Sequence, residues 1–596
     1  MYMITCECLQ TIRNNVVFIF LGALICLGLF FQAKYPIFFS IYFSLFFIIF
    51  FINTKYILLP GPIGQTFGGL AVLVGVFMPL LFSPMPMTSI AAGYYLTFAV
   101  VLGFLLNKRH AYFVLYTLIL YGLVDTLYST YQYTVITDRR PFGLFSDWNI
   151  KAFYLFGAAL FLFERMATVQ KYKNRIISYM AILILMFGMH MAQSRAATAI
   201  SGFAFIGLWI FVLSRAYDKN RVFKRHLFIF TGLFIVSFIL FIALSVPVGN
   251  SEIRVATTTA NINGRLPLWI STWELIKVHP LTGHGYGLFL NVYDGVRSEY
   301  ATSGHVAHND FLEFWMTSGI LGLIMTILPV YYFLSRIIIA FQNADLSRFI
   351  FSGIGLSFLA CAFFNFFFWR VENLLVLLAL WKLAQPSYQF EREVAIPFVV
   401  KVFIVASVTI LALIPIAHSY QDKVVSRSEG SIKELYNWSD SVLGDESLLV
   451  PLRAQYFIDL ALFSGAGQLD FNGFDFILGQ LDSEISRGTL FPEVYCARGQ
   501  ISFLLDETYV DATDHLTKGV SLSPRNIYCQ YASFRNSVLY GRPDEALSGL
   551  SRFLDQKIPM DRVDSLRTLV SLGLKLAIEE SSDDYAVFFS TVLDGI

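Results

Sequence analysis

Apolar segments of about 20 residues alternate with short polar connections along most of this chain. A segment of that length crosses the hydrocarbon core of a bilayer as one α-helix, because its backbone groups then pair within the segment. The pattern predicts an all-α polytopic membrane protein with about 12–13 transmembrane helices. The apolar runs lie at 15–33, 36–53, 66–83, 89–107, 111–130, 150–164, 175–192, 199–214, 226–247, 311–335, 348–368, 371–384 and 396–418.

The composition excludes an ordinary soluble protein. Of the 596 residues, 56% are hydrophobic and 14% are charged, whereas soluble domains carry about 25% charged residues. The 43 basic and 42 acidic side chains leave no basic excess for binding nucleic acid. The 60 Phe and 31 Tyr exclude a disordered chain, since such chains are poor in aromatic residues.

Lysine and arginine cluster in alternate connections, which predicts the orientation of the spans. The clusters at 108–109, 165–175 and 215–225 fall on one side, which the positive-inside rule assigns to the cytoplasm. We expect the first span to remain uncleaved. With an odd number of spans, the loop at 248–310 and the chain after 420 then lie on the side opposite the cytoplasm. An even number of spans would place the tail on the cytoplasmic side. The predicted division is 1–247 for the N-terminal transmembrane helices, 248–310 for a large outer loop, 311–420 for the C-terminal transmembrane helices and 425–596 for a soluble domain.

A few arginines lie in the outer connections, against this bias. An arginine at a membrane edge commonly snorkels to lipid headgroups. Several arginines gathered by a helical bundle instead form an anion site, because a guanidinium matches phosphate oxygens in a bidentate way. Both interpretations apply to Arg139, Arg140, Arg195, Arg254, Arg265, Arg297 and Arg370.

The outer loop contains a short amphipathic segment between Pro267 and Pro280. Trp269, Trp273 and Ile276 follow helical spacing there. A helix of roughly fourteen residues is too short to span a bilayer, and its two tryptophans favour a position in the membrane interface. Membrane lipids are therefore expected contacts.

Three glycines follow this segment, in the sequence GHGYG. Gly283, Gly285 and Gly287 predict a tight turn after the helix, although glycines also allow close backbone approach to a ligand. The sequence lacks the Lys-Ser/Thr ending and the preceding strand of a nucleotide-binding loop.

The sequence HNDFLE precedes the apolar run at 311–335. Asp310 and Glu313 fit a helix capping box, with Asp310 as the N-cap. Capping does not explain His308, which at a membrane edge beside cations can stay neutral and accept a proton.

The same loop contains four histidines, which are candidate ligands for a metal ion. Their spacing matches no compact zinc motif, and no cysteine lies nearby, so we expect neither a metal nor a cofactor. They are His279, His284, His305 and His308.

Five stretches in this order resemble the O-antigen ligase and O-antigen polymerase superfamily, which includes the bacterial O-oligosaccharyltransferases that glycosylate pilins. Together they cover roughly residues 130 to 330 and do not separate the subfamilies. They are RPFGLFSDWN at 140–149, QSRAAT at 193–198, GRLPLW at 264–269, HPLTGHGYG at 279–287 and HNDFLEFWMTSGILG at 308–322.

The resemblance implies a metal-independent glycosyltransferase of the bacterial inner membrane with its site facing the periplasm. The donor would be a glycan linked to undecaprenyl diphosphate, and the acceptor lipid A core, a growing glycan or a protein hydroxyl. Arg195 and Arg265 would hold the diphosphate, and His308 would activate the acceptor hydroxyl. Further candidates for substrate binding are Arg140, Asn149, His284, Asn309 and Glu313.

The tail at 425–596 is less apolar and has helical patterns. Ala512 and Ala546 lie 34 positions apart in similar stretches, which predicts a tetratricopeptide-like array that could bind a protein partner; a plain helical bundle is the alternative. A similar extension occurs in the pilin-glycosylating relatives. Cys496 and Cys529 fall on successive predicted repeats, and we expect them to remain unpaired.

We interpret the chain as an O-antigen ligase-like enzyme. A protein O-oligosaccharyltransferase and an O-antigen polymerase are alternatives within the same superfamily. A transporter for the lipid-linked glycan and a membrane-tethered scaffold are alternatives of other classes. A transporter needs paired polar groups near the bilayer midplane, whereas the deep candidates here, Asp125 and Asn365, are not evidently paired.

Overall fold

The fold is known from a computed structural model, which describes somewhat more than half of the chain. Three predicted spans, at 15–33, 36–53 and 396–418, lie outside the described residues. So do the tail before residue 478 and the tail after residue 545. With short gaps inside several ranges, the described residues are 56–59, 62–83, 86–136, 141–168, 175–214, 221–245, 258–296, 306–385, 392–395 and 478–545.

The described residues are almost entirely helical. The exception is a pair of four-residue antiparallel strands, β1 (Tyr56–Leu59) and β2 (Arg392–Ala395). From residue 62 to residue 384 the helices are α1 (Pro62–Val72), which continues through a π-helical turn at Leu73–Phe77 into α2 (Met78–Phe82), then α3 (Pro86–Leu105), α4 (Lys108–Thr134), α5 (Trp148–Thr168), α6 (Arg175–Met191), α7 (Arg195–Ser214), α8 (Arg221–Ser245), α9 (Thr258–Val278), α10 (Phe289–Tyr293), α11 (Asp310–Asn343), α12 (Leu346–Ala362) and α13 (Val371–Ala384).

The structure confirms helices at each of the ten predicted apolar runs between residues 66 and 384. Four described helices are long and apolar enough to cross a bilayer by length and composition, and several shorter apolar helices accompany them. The chain is therefore a multi-pass membrane protein. The four candidate spans are Lys108–Thr134, Arg195–Leu213, Phe223–Ala243 and Asp310–Asn343.

The shortest predicted run forms the centre of the bundle. All 14 residues of α13 are buried. A helix of this length is too short to span a bilayer, and α13 is instead enclosed by other helices of the bundle. Trp381 of α13 stacks on Tyr332 of α11 at a centroid distance of 3.7 Å and contacts Phe67 of α1 at 5.8 Å. Elements distant in sequence thus pack on one helix.

A buried ion pair joins α4 to α5 and fixes the loop between them. Lys151 Nζ lies 3.1 Å from Asp125 Oδ2, and neither side chain is exposed. Asp125 Oδ1 accepts from the backbone N–H of Leu144 at 2.5 Å, and Gly143, at φ +66°, leaves no room for a Cβ beside that carboxylate. The expectation that Asp125 has no evident partner was wrong, because its partner lies on the next helix.

The described part of the tail contains three helices, α14 (Pro492–Leu504), α15 (Tyr509–Leu522) and α16 (Ile527–Leu539). Cys496 of α14 and Cys529 of α16 form a disulfide with their Cα atoms 5.3 Å apart. The expectation that they remain unpaired was wrong, because sequence spacing carries no information on how two helices pack. The tetratricopeptide assignment stays a prediction.

Candidate functional site

The site is built at the N-terminus of α11. Asn309 is its N-cap, and its side-chain oxygen accepts from the backbone N–H groups of Phe311 and Leu312. The prediction that Asp310 is the cap was wrong by one residue. Asp310 is the first helical residue, and Glu313 accepts from the backbone N–H of Ala307 at 2.9 Å rather than completing a capping box.

Asp310 connects this helix start to the loop between α12 and α13. Its Oδ2 atom accepts from the backbone N–H groups of Phe367 and Phe368 at 2.6 and 2.7 Å. In the same loop Arg370 is paired with Glu372 at 3.6 Å. The carboxylate of Asp310 therefore brings the loop at 363–370 against the segment that carries His308.

His308 lies in the left-handed backbone region, with φ +51°. A non-glycine residue rarely adopts this conformation, although histidine is enriched among the exceptions. Its side chain is hydrogen-bonded to the side chain of Asn365, which is 1% exposed. Asn365 in turn donates from Nδ2 to Asp147 Oδ1 at 2.8 Å. Asn365, judged unpaired in the sequence, is paired at both ends.

The surroundings of His308 favour its neutral form. Burial and the charge of Arg265 lower the pKa of His308 below its ordinary value, while Asn365 and Asp147 act in the opposite direction. Burial also lowers the pKa of Arg265, against the effect of Asp147. A neutral imidazole can accept a proton near pH 7, whereas arginine keeps its charge.

Helix α9 brings Arg265 to this place. The ring N–H of Trp269 donates to the carbonyl of Ala307 at 3.1 Å, and Leu268 and Ile276 are buried in a cluster with residues of α11. Arg265 precedes Trp269 by four residues and therefore lies on the same helix face. The base candidate and one predicted diphosphate ligand are thus brought together.

The helix itself is longer than predicted. It begins at Thr258, so Pro267 lies inside it rather than near its start. Its outward face carries the exposed residues Leu266, Ile270, Trp273 and Val278. This apolar face agrees with the prediction of an interfacial helix, which remains a prediction.

The glycine-rich turn packs against a kink in α11. Gly319 at the kink has φ +62° and ψ −154°, and a Cβ there would collide with the carbonyl oxygen of Leu281. The backbone N–H groups of His284 and Gly285 donate to the carbonyls of Met316 and Thr317 at 2.9 and 2.8 Å. The close approach to α11 is the one that Gly283 allows, since a Cβ on Gly283 would collide with the backbone of Thr317 and Ser318; this supports the turn interpretation.

His284 is held within this turn. Its Nε2 atom hydrogen-bonds the carbonyl of Leu275 at 2.9 Å, and its ring contacts that of His279 edge-on at 4.8 Å. Burial lowers the pKa of His284, whereas the hydrogen bond to the carbonyl of Leu275 raises that pKa. These contacts give His284 a structural role in joining α9 to the turn.

The second predicted phosphate ligand, Arg195, begins α7 and is exposed. Its neighbour Ser194 donates to Asn149 Oδ1 at 2.8 Å. Asn149 follows Asp147 by two residues at the start of α5, so the arginine segment is linked to the segment that contacts Asn365. The structure thus joins Asn149 and the Arg195 segment to the surroundings of His308, whereas Arg140 lies outside the described residues.

Sequence reasoning missed the roles of Asp147 and Asn365. Asp147 stands inside the family-like stretch at 140–149, which was a usable signal. For Asn365 the only signal in the sequence was that a polar residue stands among phenylalanines. Within the described part of the chain, no group of three or more His, Cys, Asp or Glu side chains is arranged to hold a metal ion.

Comparison with known proteins gives one family. Residues 180–327 match the model of the family described as O-antigen ligase. The matched region includes Arg195, Arg265 and His308. No curated protein matches the chain.

Proposed function

The match at residues 180–327 supports the O-antigen ligase and polymerase superfamily for this chain, and from that premise we propose that it is an O-antigen ligase-like enzyme. It transfers a glycan from undecaprenyl diphosphate to an acceptor on the periplasmic face, with lipid A core as the leading acceptor. The observation that carries the proposal is the proximity of a neutral, half-buried His308 before α11 to the half-buried Arg265 of α9.

The chemistry requires a base for the acceptor and fixed positive charge for the leaving group. A neutral His308 takes the proton of the acceptor hydroxyl as its oxygen attacks the anomeric carbon. The bond from that carbon to the phosphate oxygen breaks, and the diphosphate leaves with the electron pair. Attack opposite the leaving group inverts the anomeric centre.

Arg265 and Arg195 stabilise the negative charge that develops on the diphosphate. Charged donors held in place before the reaction stabilise a transition state more than water does, since they need no reorganisation. Two arginines supply this charge without a divalent ion in our mechanism. Because Arg195 is exposed and Arg265 is half-buried, we assign Arg265 to the oxygen nearest the breaking bond and Arg195 to the distal phosphate.

The tail supports the periplasmic assignment. Structural disulfides persist in oxidising compartments and are rare in the cytosol. The pair Cys496–Cys529 therefore favours a periplasmic position for α14 to α16. An outward tail agrees with an odd number of spans and with a periplasmic loop between α8 and α11.

The test is glycan transfer in membranes of a ligase-deficient host that supplies the lipid-linked donor. Wild type is compared with Arg265→Ala and His308→Ala, and label is followed in lipopolysaccharide, protein and lipid-linked glycan fractions. Arg225→Ala and His110→Ala are matched controls, because both residues lie in the first turns of helices, α8 and α4, at the end predicted to face the cytoplasm.

We expect labelled lipopolysaccharide from wild type and both controls, and a loss of about 100-fold or more from the two site variants. Label on protein would reassign the chain to the O-oligosaccharyltransferases, and longer lipid-linked glycans alone would indicate a polymerase. Wild type without product in any fraction would contradict the proposal and favour the transporter or the scaffold.

A further inference from the structure

A hydrogen bond between two side chains joins the N-terminal ends of α5 and α7. Ser194 Oγ donates to Asn149 Oδ1 at 2.8 Å, across 45 positions of the chain. Farther along the same two helices, the rings of Phe156 and Phe205 lie 5.9 Å apart. The two helices therefore pack through apolar side chains in their interior and through this hydrogen bond at their starts.

Ser194 also determines where α7 begins. Its Oγ accepts from the backbone N–H of Ala197 at 3.3 Å, and its carbonyl accepts from the backbone N–H of Thr198 at 3.0 Å. These two contacts are typical of an N-cap residue. Arg195 follows directly as the first residue of α7. A shift of Ser194 would therefore move Arg195 together with the positive N-terminal end of the helix.

The turn before Ser194 is short and strained. Only residues 192–194 connect α6 to α7. Gln193 in this turn has φ +50°, in the left-handed region that non-glycine residues adopt at an energetic cost. Such a conformation persists only where the surroundings hold it in place. The hydrogen bond to Asn149 supplies a fixed point directly after the strained residue.

Asn149 can serve as a fixed point because the first turn of α5 is attached on two other sides. Asp147, directly before α5, accepts from Nδ2 of Asn365 in the loop between α12 and α13 at 2.8 Å. Lys151 is paired with the buried Asp125 of α4 at 3.1 Å. The start of α5 thus holds α4, the loop between α12 and α13, and the turn before α7.

We infer that Asn149 is a positioning residue for Arg195, because it holds Ser194 and with it the start of α7 where the diphosphate of the donor binds. The inference rests on the proposed role of Arg195 at the distal phosphate. It replaces the direct contact with substrate expected for Asn149. The distal phosphate carries its charge before and after the bond breaks, so a misplaced Arg195 weakens donor binding more than it slows turnover.

The test measures the affinity of the purified full-length protein for undecaprenyl diphosphate, and kcat for glycan transfer from the lipid-linked donor. The single variants are Asn149→Ala, Ser194→Ala and Arg195→Ala. Asn149→Ala is also combined with each of the other two, because a double-mutant cycle shows whether two residues act together or separately. Asn107→Ala, which removes an asparagine cap at the start of α4, is the matched control.

We expect Asn149→Ala to weaken binding by about 3- to 10-fold, the effect of one lost hydrogen bond, with kcat nearly unchanged. Arg195→Ala should weaken binding by about tenfold or more. Asn149→Ala should weaken binding no further in the Ser194→Ala or the Arg195→Ala background, since the hydrogen bond or the charge that it positions is already lost. Asn107→Ala should bind as wild type.

A loss of affinity from Asn149→Ala that is equally large in the Arg195→Ala background would overturn the inference, because Asn149 would then contact the donor itself. Wild-type affinity of Asn149→Ala beside weak binding by Arg195→Ala would overturn the positioning role alone. Wild-type affinity of Arg195→Ala would contradict its proposed role at the diphosphate, and the inference with it. If Ser194→Ala fails to fold, the cycle with Arg195→Ala remains decisive, since neither change removes the cap.

Discussion

The kink in α11 offers a stability prediction whose magnitude follows from the structure. Gly319→Ala places a Cβ on a residue at φ +62° and ψ −154°, a region adopted almost only by glycine, at a cost of about 1–3 kcal/mol. The Cβ also collides with the carbonyl oxygen of Leu281, and forcing the two backbones apart costs about 1–3 kcal/mol more. The free energy of unfolding should fall by about 2–6 kcal/mol.

The matched control is the same substitution at a glycine with open surroundings. Gly232 lies inside α8, and no heavy atom lies within 4 Å of the place where a Cβ would be. Alanine is favoured over glycine in a helix by about 1 kcal/mol, so Gly232→Ala should be neutral or stabilising. The two variants should therefore differ in sign.

The assay is unfolding in detergent, followed by the fluorescence of the eight tryptophans. Glycan transfer measured on the same samples should fall for Gly319→Ala, because the displaced turn at Leu281–Gly285 holds the end of α9 and hence Arg265. If Gly319→Ala and Gly232→Ala have the same free energy of unfolding, the close contact between the turn and the kink does not stabilise the protein, and this part of the reasoning is refuted.

Three further predictions concern other parts of the chain. Lys151→Met should lower the free energy of unfolding by about 3–5 kcal/mol, because it leaves Asp125 buried without its cation. The double variant Asp125→Leu/Lys151→Met should recover much of that stability but not the transfer rate. Equal transfer rates for the double variant and wild type would contradict the anchoring of the 141–147 loop. Replacing Cys529 by Ser should destabilise the tail by about 3–4 kcal/mol for a bridge across 33 positions, and alkylation of Cys496 in unreduced wild type would disprove the bridge. Because burial and Arg265 lower the pKa of His308, the midpoint of the acid limb of the rate profile should lie below the ordinary histidine pKa of about 6.5. A midpoint at or above about pH 6.5 would show that His308 is not kept neutral by burial and by Arg265.

Local patterns predicted most of the fold. Each apolar run of helical length between 66 and 384 is a helix, because hydrophobic length and periodicity act within one segment. The start of α9 was misplaced, since a proline at 267 is typical of a helix start but is also found within a helix that neighbours hold in place. The capping residue was misplaced by one position, because Asn309 and Asp310 are both good caps.

Contacts between segments that are distant in the chain could not be predicted from the sequence. The pairing of Asn365 with Asp147 depends on how the loop between α12 and α13 folds back over α5, and no local pattern specifies this. The disulfide between α14 and α16 was judged absent for the same reason. The resemblance to a family named His308 and Arg265 as site residues. The structure places Arg265 close enough to lower the pKa of His308, and the roles of both residues stay predictions.

The central claim is that His308 accepts the proton of the acceptor hydroxyl, while Arg265 binds the diphosphate of the donor. The most direct test measures donor binding and turnover separately in purified protein, with an undecaprenyl-diphosphate-linked glycan as ligand and metal chelator present. We predict that His308→Ala binds the donor with wild-type affinity and loses about 100- to 10,000-fold in kcat, whereas Arg265→Ala weakens donor binding by about tenfold or more. Wild-type turnover by His308→Ala, unchanged donor affinity in Arg265→Ala, or loss of wild-type turnover in the chelator would contradict the account.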